Sequence, residues 1–379
     1  MIYLDNSATT KPHPSVLQSY NQVAETYFAN PSSIHQLGGE AEKLLLHAKM
    51  QAAQLLNVSK DEVIFTSGGT EGNNMAIKGI ALQHQNRGKH IITTEIEHPS
   101  VYDACKALEK MDFDITYLPV NQDGVVTVEN VSKAIRSDTI LISVMHVNNE
   151  IGSIQPIRQI GELAKNNPKL FFHVDHVQGL GKVPLELHDS GIDLLTISGH
   201  KIHGLNGTGI LYVSNRTNIL PLFHGGGQER AIRSGTENLA GAVSIVKAIR
   251  LMKEREKEAS VYLKELRKSV MQKLASMKHV VINSPISGAP HIINFSVIGL
   301  KPEVIIHVLG EKNIFISTKS ACSSKMSDVS RVLAALEVEE ERTVSGLRVS
   351  MSYDTTQEEI DEFISELATA IEELKKVMG

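Results

Sequence analysis

The sequence predicts an α/β fold: a mainly parallel central sheet with helices on both faces, plus a smaller α+β domain. The first observation is that short apolar runs alternate with helical patterns from about residue 40 to residue 250. Such alternation is typical of βαβ units, whose strands pair in parallel. The second observation is a change near residue 250, where a long helix of mixed charge is followed by shorter strand and helix patterns.

The elements of the larger region follow from hydrophobic periodicity. Short continuous apolar runs favour buried strands, and apolar residues at i, i+3 and i+4 favour helices. The predicted strands, in order, are EVIFTS, HIITTEIE, DITYLPV, TILISVMHV, LFFHVDHV and DLLTISG. The predicted helices among them are EAEKLLLHAKMQAAQLL, NMAIKGIALQHQ, SVYDACKALEK and IRQIGELAKNN.

The region after residue 250 contains the strand patterns VVINS and HIINFSV and the helical patterns PEVIIHVLGE and TTQEEIDEFISELATAIEELKKVM. In the last helix, Thr356 and Glu359 have the spacing of a capping box. Its apolar residues form one stripe, which we expect to be core: Ile360, Phe363, Ile364, Leu367, Ile371 and Leu374.

Composition limits the classes of protein. The chain has 379 residues, 41% hydrophobic and 21% charged, which is typical of a soluble globular protein of two or three domains. The net charge is −5 and no block of like charge stands out, so we expect no direct nucleic-acid contact. We also expect no membrane span and no signal peptide. Two cysteines make no disulfide framework, which favours a cytoplasmic location.

Polar side chains cluster where the predicted strands end. In parallel α/β sheets the ligand binds beyond the carboxyl ends of the strands. One such segment is IFTSGGTEGNN, where a helix is predicted to start near Thr70. Its backbone N–H groups could bind a phosphate, although an ordinary turn with a threonine cap is equally compatible with the pattern.

Asp175 ends a very apolar strand in FFHVDHVQG. A carboxylate there needs a cation or several hydrogen-bond donors, or it simply caps the next segment. His173 and His176, like His200 and His203, have an H-x-x-H spacing. Alternate residues of a strand face opposite sides, so we predict no metal site at either pair.

Lys201 follows a strand in SGHK. A lysine near an anion site and a buried aspartate suits a Schiff-base lysine. Pyridoxal phosphate (PLP) would use all three features: an amine for its aldehyde, a phosphate cup, and an acid against its pyridine nitrogen. A solvent-facing lysine in a loop remains the alternative.

The two cysteines differ in their surroundings. Cys105 shares a helical stripe with Val101 and Leu108, so we expect it in the core. Cys322 lies in a segment rich in serine and lysine, between Lys319 and Lys325. Nearby cations lower the pKa of a thiol, so a reactive thiol is the favoured interpretation over a chance surface cysteine.

Nine motifs, in order over nearly the whole chain, resemble those of one family: LDNSATT, NPSSIHQLG, FTSGGTEGNN, EHPSV, MHVNNEIG, HVDHVQ, SGHKIHG, RSGTEN and STKSACSS. They resemble the PLP-dependent cysteine desulfurases of NifS/IscS type, in the class-V aminotransferase group. The resemblance implies fold type I, with a large PLP-binding domain over residues 16–255. A small domain would comprise 1–15 and 256–379 and carry the cysteine loop at about 316–330.

The resemblance also implies a role for each matching residue. Lys201 would bind PLP covalently, Asp175 would pair with the pyridinium nitrogen, and Gln178 with the ring hydroxyl. His98 would stack on the ring and help to move protons. The phosphate would be held by Gly69, Thr70, Ser198 and His200, and by Thr236 across a homodimer interface. Asn149, beside the cofactor, and Arg348 would bind the substrate carboxylate, and Cys322 would take up the sulfur.

The implied partners are L-cysteine and a sulfur-acceptor protein, either an iron–sulfur scaffold or a tRNA-thiolation enzyme. We expect no resident metal, although Cys322 could transiently share an iron–sulfur cluster with a scaffold. The chain departs from the family pattern at three places: His176, Lys319, and the pair Leu205 and Asn206. Two alternatives stay open: another PLP enzyme, such as an aminotransferase or a selenocysteine lyase, and a non-catalytic protein with this fold.

Overall fold

The computed structural model describes residues 1–187, 190–318 and 329–378. Its strands are β1 (Ile2–Tyr3), β2 (Val63–Thr66), β3 (His90–Thr94), β4 (Asp114–Leu118), β5 (Thr139–Met145), β6 (Phe171–Asp175), β7 (Leu194–Ser198), β8 (Gly209–Val213), β9 (Val280–Ile282), β10 (Ile292–Val297), β11 (Ile314–Phe315) and β12 (Gly346–Ser350). Its α-helices are α1 (Pro14–Thr26), α2 (Gln36–Leu56), α3 (Gly69–His84), α4 (Pro99–Glu109), α5 (Val128–Ala134), α6 (Ile157–Lys165), α7 (Leu239–Ala275), α8 (Pro302–Glu311), α9 (Arg331–Ala335), α10 (Glu340–Val344) and α11 (Gln357–Met378).

A seven-stranded sheet forms the centre of the larger part, in the order β2-β8-β7-β6-β5-β3-β4. Strand β8 is antiparallel to both β2 and β7, and the remaining pairs are parallel. Six strands therefore run in one direction, which confirms the predicted mainly parallel α/β fold. The carboxyl ends of those six strands lie at the same edge of the sheet.

Both faces of this sheet are buried. Along β7, Leu194 packs with a cluster that includes Ile77 and Ile80 of α3, whereas Leu195 packs with a cluster that includes Ile249 of α7. Successive strand residues point to opposite faces. A parallel sheet covered on both faces therefore explains why its strands read as continuous apolar runs.

A smaller antiparallel sheet has the order β12-β10-β9. It shares an apolar core with α8, α11 and the second half of α7, and β1 pairs with β11 beside it. Helix α7 contributes Ile249 to the larger core and Val270 to the smaller one. The division of the chain at residues 255 and 256 falls inside this helix and stays a prediction.

Several predictions about single elements are confirmed. Thr356 and Glu359 form the expected capping box, with each side chain accepting a hydrogen bond from the other residue's backbone N–H. The predicted stripe of α11 is buried or partly buried, and Cys105 is fully buried between Val101 and Leu108.

Other elements differ from the sequence predictions. Helix α1 and strand β8 were not predicted, β3 ends at Thr94 although the pattern continued to Glu97, and α7 begins about ten residues earlier than expected. Within the described ranges, none of the helices has the length and apolar character that crossing a bilayer requires.

Candidate active site

A pocket opens at the carboxyl edge of the seven-stranded sheet, with an empty volume of about 730 Å³. All of the predicted site residues except Thr236 and Cys322 line it: Gly69, Thr70, His98, Asn149, Asp175, Gln178, Ser198, His200, Lys201 and Arg348. They come from the ends of β5, β6 and β7, the N-termini of α3 and α4, and strand β12 of the smaller sheet.

Lys201 ends the short 3₁₀ turn that follows β7. Its Nζ donates to the backbone carbonyls of Ser7, at 2.5 Å, and Ala8, at 2.6 Å. The ammonium is thus partly buried against the N-terminal segment, so the alternative of a solvent-facing lysine is wrong. Beneath it, Lys182 donates from Nζ to the Lys201 carbonyl oxygen at 2.9 Å. Burial, reinforced by Lys201, lowers the pKa of Lys182 to about 7.

Asp175 is buried at the end of β6. Its Oδ1 accepts a hydrogen bond from the Val177 backbone N–H at 3.0 Å, and its Oδ2 accepts one from Asn73 Nδ2 at 2.8 Å. Burial raises the pKa of Asp175, whereas these two donors and the charge of Lys201 act in the opposite direction. The cation and donors that a buried aspartate requires are therefore present.

Gln178 faces the pocket three residues after Asp175. Its Nε2 donates to the Ser7 carbonyl at 3.0 Å, while its Oε1 is buried and has no hydrogen-bond partner among the described residues. A buried oxygen without a partner is costly. The pocket thus holds one acceptor that a ligand hydroxyl or N–H could satisfy.

Helix α3 begins at Gly69, after Gly68, whose φ of 149° suits a residue without a Cβ. No side chain caps this helix, so the threonine-cap alternative at Thr70 is wrong. A Cβ added to Gly69 would lie 3.0 Å from Cγ2 of Val177, which shows how tightly this turn packs. A more open depression continues from the pocket and is lined by Gly69, Thr70, Ser198 and His200, the residues expected to bind phosphate.

His98 is the N-cap of α4 and is followed by Pro99. Its Nδ1 lies 2.8 Å from Ser100 Oγ and accepts the Ser100 backbone N–H at 3.1 Å. Burial, with smaller contributions from Lys201 and Arg331, lowers the pKa of His98 to about 4. The imidazole is therefore neutral at physiological pH.

Arg348, on β12, is almost completely buried. Its guanidinium donates to the Asn149 carbonyl at 2.8 Å, to Asp5 Oδ1 at 2.9 Å and to Ser317 Oγ at 2.8 Å. Its Nε is buried without a partner among the described residues. A planar cation with an unused N–H at the pocket wall suits a carboxylate.

Two predicted site residues lie elsewhere. Thr236 is exposed and lines a neighbouring pocket with Arg233 and Glu237. Cys322 and Lys319 lie outside the described residues. His173 and His176 point in different directions: His173 contacts Ser143 and Thr196, whereas His176 contacts His146.

The structure adds residues that were not singled out from the sequence. Ser7 and Ala8 close the pocket over Lys201, and Asn73 and Ser100 line it between Asp175 and His98. Ser7 and Ala8 belong to the motif LDNSATT, Asn73 to FTSGGTEGNN and Ser100 to EHPSV. The motifs thus contained these residues, although nothing in their spacing indicated which side chains face the pocket.

Comparisons with known proteins agree with this geometry. Residues 2–363 match the family described as aminotransferase class-V. The chain is 43% identical to a NifS/IcsS protein homolog of Lactobacillus delbrueckii subsp. bulgaricus, over 100% of this chain and 99% of that protein. It is 42% identical to the cysteine desulfurase IscS of Dictyoglomus turgidum, over 99% of this chain and 96% of that protein.

The solved structure of a NifS-like protein superposes with a TM-score of 0.92 at 34% identity, covering 98% of this chain and 99% of that one. The chain therefore belongs to the class-V aminotransferase family. Within that family its full-length relatives are the cysteine desulfurases of NifS/IscS type.

Proposed function

We propose that the protein is a PLP-dependent cysteine desulfurase that converts L-cysteine into L-alanine and leaves the sulfur as a persulfide on Cys322. The observation that carries the proposal is the convergence of Lys201, Asp175 and Arg348 on one pocket. An amine, a buried acid and a carboxylate-binding cation are the groups that an amino-acid substrate and PLP together require. The names of the full-length relatives support the same activity.

The residues present fit PLP. Asp175 offers a buried carboxylate to the pyridine nitrogen, and the partnerless Oε1 of Gln178 offers an acceptor to the ring hydroxyl. The start of α3 and the side chains of Ser198 and His200 offer donors to the phosphate. When bound, PLP supplies an aldehyde for the substrate amine and a ring that withdraws electrons from Cα.

The side chains of the pocket and Cys322 have separate roles in the proposed reaction. Arg348 orients the substrate through its carboxylate, and Asn149, whose carbonyl holds the guanidinium, borders the same position. Lys201 Nζ, once released, takes the proton from Cα. The Cys322 thiolate attacks the substrate sulfur, which keeps its hydrogen, and the Cβ–S bond breaks. Cβ takes up a proton, and Cα regains the proton that Lys201 holds. The products are L-alanine and the Cys322 persulfide, so atoms and charges balance.

The partners are part of the proposal. We propose a homodimer in which Thr236, exposed on this chain, reaches the phosphate site of the partner subunit. The persulfide would pass to an acceptor protein, either an iron–sulfur scaffold or a tRNA-thiolating enzyme. The division into residues 16–255 and a small domain of 1–15 and 256–379 would place Cys322 on the small domain with Ser7, Ala8 and Arg348, and the other pocket residues on the large domain.

The test is incubation of the purified protein with PLP, L-cysteine and a thiol reductant, which releases the persulfide sulfur as sulfide, with alanine and sulfide measured separately. We expect both products in equal amounts, and we expect Cys322→Ala to keep the PLP absorbance but release no sulfide. Cys105→Ala is the matched control, because burial raises the pKa of the Cys105 thiol to about 12 and keeps it unreactive.

Two outcomes would contradict the proposal. Full sulfide release by Cys322→Ala would remove the thiol from the mechanism. Amino transfer to a 2-oxo acid without sulfide release would identify an aminotransferase instead.

A further inference from the structure

A continuous hydrogen-bond chain joins His98 to Asp175 along one wall of the pocket. Asn73 Nδ2 lies 2.8 Å from Asp175 Oδ2 and 2.8 Å from Ser100 Oγ. Ser100 Oγ in turn lies 2.8 Å from His98 Nδ1. Asn73, Asp175 and Ser100 are all buried, so water does not interrupt these contacts.

The direction of each hydrogen bond follows from the chemistry of the groups. An ionised Asp175 can only accept hydrogen bonds, and both of its oxygens accept one from an N–H group. Asn73 Nδ2 carries two hydrogens, which go to Asp175 and Ser100, while its Oδ1 is buried without a partner among the described residues. Ser100 Oγ accepts from Asn73, so its own proton points to His98 Nδ1. The Ser100 backbone N–H donates to the same nitrogen, which leaves the ring proton of His98 on Nε2.

We propose that Asn73 and Ser100 are positioning residues that transmit the charge state of Asp175 to His98. The ionised carboxylate accepts a hydrogen bond from the Asn73 NH₂ group and so fixes that group between Asp175 and Ser100. Because Ser100 Oγ then accepts from Asn73, its O–H is oriented to donate to His98 Nδ1. This inference rests on the proposed function, because His98 and Asp175 matter together only if they flank a cofactor.

Protonation of Asp175 would reverse the direction of the hydrogen bonds between Asp175, Asn73 and Ser100. A protonated carboxyl donates, so the Asn73 amide would turn its oxygen toward Asp175 and accept the Ser100 hydroxyl proton as well. His98 Nδ1 would then keep only the backbone N–H as a donor. Since a hydrogen bond to the unprotonated nitrogen favours neutral imidazole, its loss would raise the pKa of His98.

Other charged groups also change the pKa of His98. The test must separate their effect from that of the hydrogen-bond relay formed by Asp175, Asn73, Ser100 and His98. Lys201 faces the ring from the turn after β7, and Arg331 from the start of α9; both lower its pKa. Glu97 precedes it in the chain, and burial raises the pKa of Glu97 to about 8. His200 lines the same pocket and is also neutral, with a pKa lowered to about 4. None of these groups contacts Asn73 or Ser100 in the hydrogen bonds described above.

The experiment is a pH titration of ¹⁵N-labelled histidines in the full-length protein before PLP is added, with His98→Asn used to assign the His98 signals. In the wild-type protein we expect a single neutral tautomer with the proton on Nε2. Ser100→Ala should raise the pKa of His98 by about half a unit to one unit, the equivalent of one ordinary hydrogen bond. Asn73→Ala should shift it in the same direction.

Because the two residues act in series, the double variant should shift the pKa no further than Ser100→Ala alone. Ser100→Thr keeps a hydroxyl and should restore the wild-type value. Asn74→Ala is the control: Asn74 is the half-buried neighbour whose Nδ2 donates to the Thr70 carbonyl and, at 3.5 Å, to the Ser100 carbonyl. Its bonds reach neither Ser100 Oγ nor Asp175, so its loss should leave the pKa of His98 unchanged. A wild-type proton on Nδ1, or shifts that add in the double variant, would overturn the relay.

A second readout connects the relay to the reaction. With PLP and L-cysteine, the acidic limb of kcat/KM should move to higher pH in Ser100→Ala by the same amount as the His98 titration. A limb that stays in place while the His98 pKa moves would overturn the role of the relay in catalysis. The titration itself needs neither cofactor nor substrate, so a failure of the desulfurase proposal and a failure of the relay give different results.

Discussion

His146 and His176 place their Nδ1 atoms 2.9 Å apart in the buried layer behind the pocket. One of the two nitrogens must donate and the other accept, so the hydrogen bond is lost when both rings are protonated. Burial lowers the pKa of His146 to about 4 and that of His176 well below its usual value. A Cβ on Gly179 would come within 2.5 Å of both Nδ1 atoms, so glycine at this position leaves the space that the two rings occupy.

This pair predicts a loss of stability in mild acid. In the unfolded chain both histidines take up protons near pH 6.5, whereas in the folded protein they remain neutral to much lower pH. The unfolded state therefore binds more protons below pH 6.5, and the free energy of unfolding falls as the pH drops toward 4. We expect His176→Asn, which keeps a polar atom near His146 Nδ1, to flatten this slope by up to about 1.4 kcal/mol per pH unit.

Urea unfolding at several pH values between 7 and 5 measures that slope. The matched control is the same substitution at an exposed histidine of α8, His307→Asn. Equal slopes in the wild-type protein and His176→Asn would contradict the prediction, because they would show that His176 binds the same number of protons in the folded and unfolded states.

Arg348→Lys tests carboxylate recognition. The guanidinium donates hydrogen bonds to Asn149, Asp5 and Ser317. A lysine ammonium cannot reproduce this planar set of hydrogen bonds and also donate to a substrate carboxylate. We expect KM for L-cysteine to rise about 10- to 100-fold, with a smaller change in kcat.

Arg342→Lys is the matched control. Arg342 lies in α10, just before β12, but it binds the Asn283 side chain and does not line the pocket. Its substitution should lower stability without raising KM. An unchanged KM in Arg348→Lys would remove Arg348 from substrate binding.

Gly72→Ala and Gly310→Ala should change stability in opposite directions. A Cβ on Gly72 would lie 2.8 Å from Cγ2 of Thr196, because α3 packs closely on β7 there. We expect this overpacking to lower the free energy of unfolding by about 1–3 kcal/mol. Gly310 in α8 has open space around its Cα, so alanine should raise stability by up to about 1 kcal/mol.

Urea unfolding at pH 7 measures both variants under the same conditions. If Gly72→Ala were as stabilising as Gly310→Ala, the close packing of α3 against the sheet would be wrong.

The fold could be predicted because its strands are unusually apolar. Strands β5, β6 and β7 are buried at every position, so their residues form continuous runs that periodicity detects. Helix α1 does not stand out in the sequence because Val16 and Val23 are its buried residues and only Tyr20 packs beside them. Three apolar contacts in 13 residues give too weak a stripe to recognise.

The site was predictable to the extent that each residue carries its own chemical signal. A lysine after a core strand and an aspartate inside one are conspicuous, and both line the pocket. Asn73 has no such signal, because a polar residue near a helix start is ordinary in any sequence. Its importance comes from lying between Asp175 and Ser100, which are 102 and 27 residues away along the chain.

The first ten residues of the chain are held by residues that are synthesised much later. Ser7 and Ala8 receive the Lys201 ammonium, and Asn6 and Ser7 bond the main chain and hydroxyl of Ser350, 344 and 343 residues away. On the ribosome, therefore, a nascent chain can build its large sheet while its amino terminus still has no place to dock. The complete pocket, which includes Arg348, forms only after the last strand is translated, so premature termination anywhere before β12 would yield a protein without a closed site.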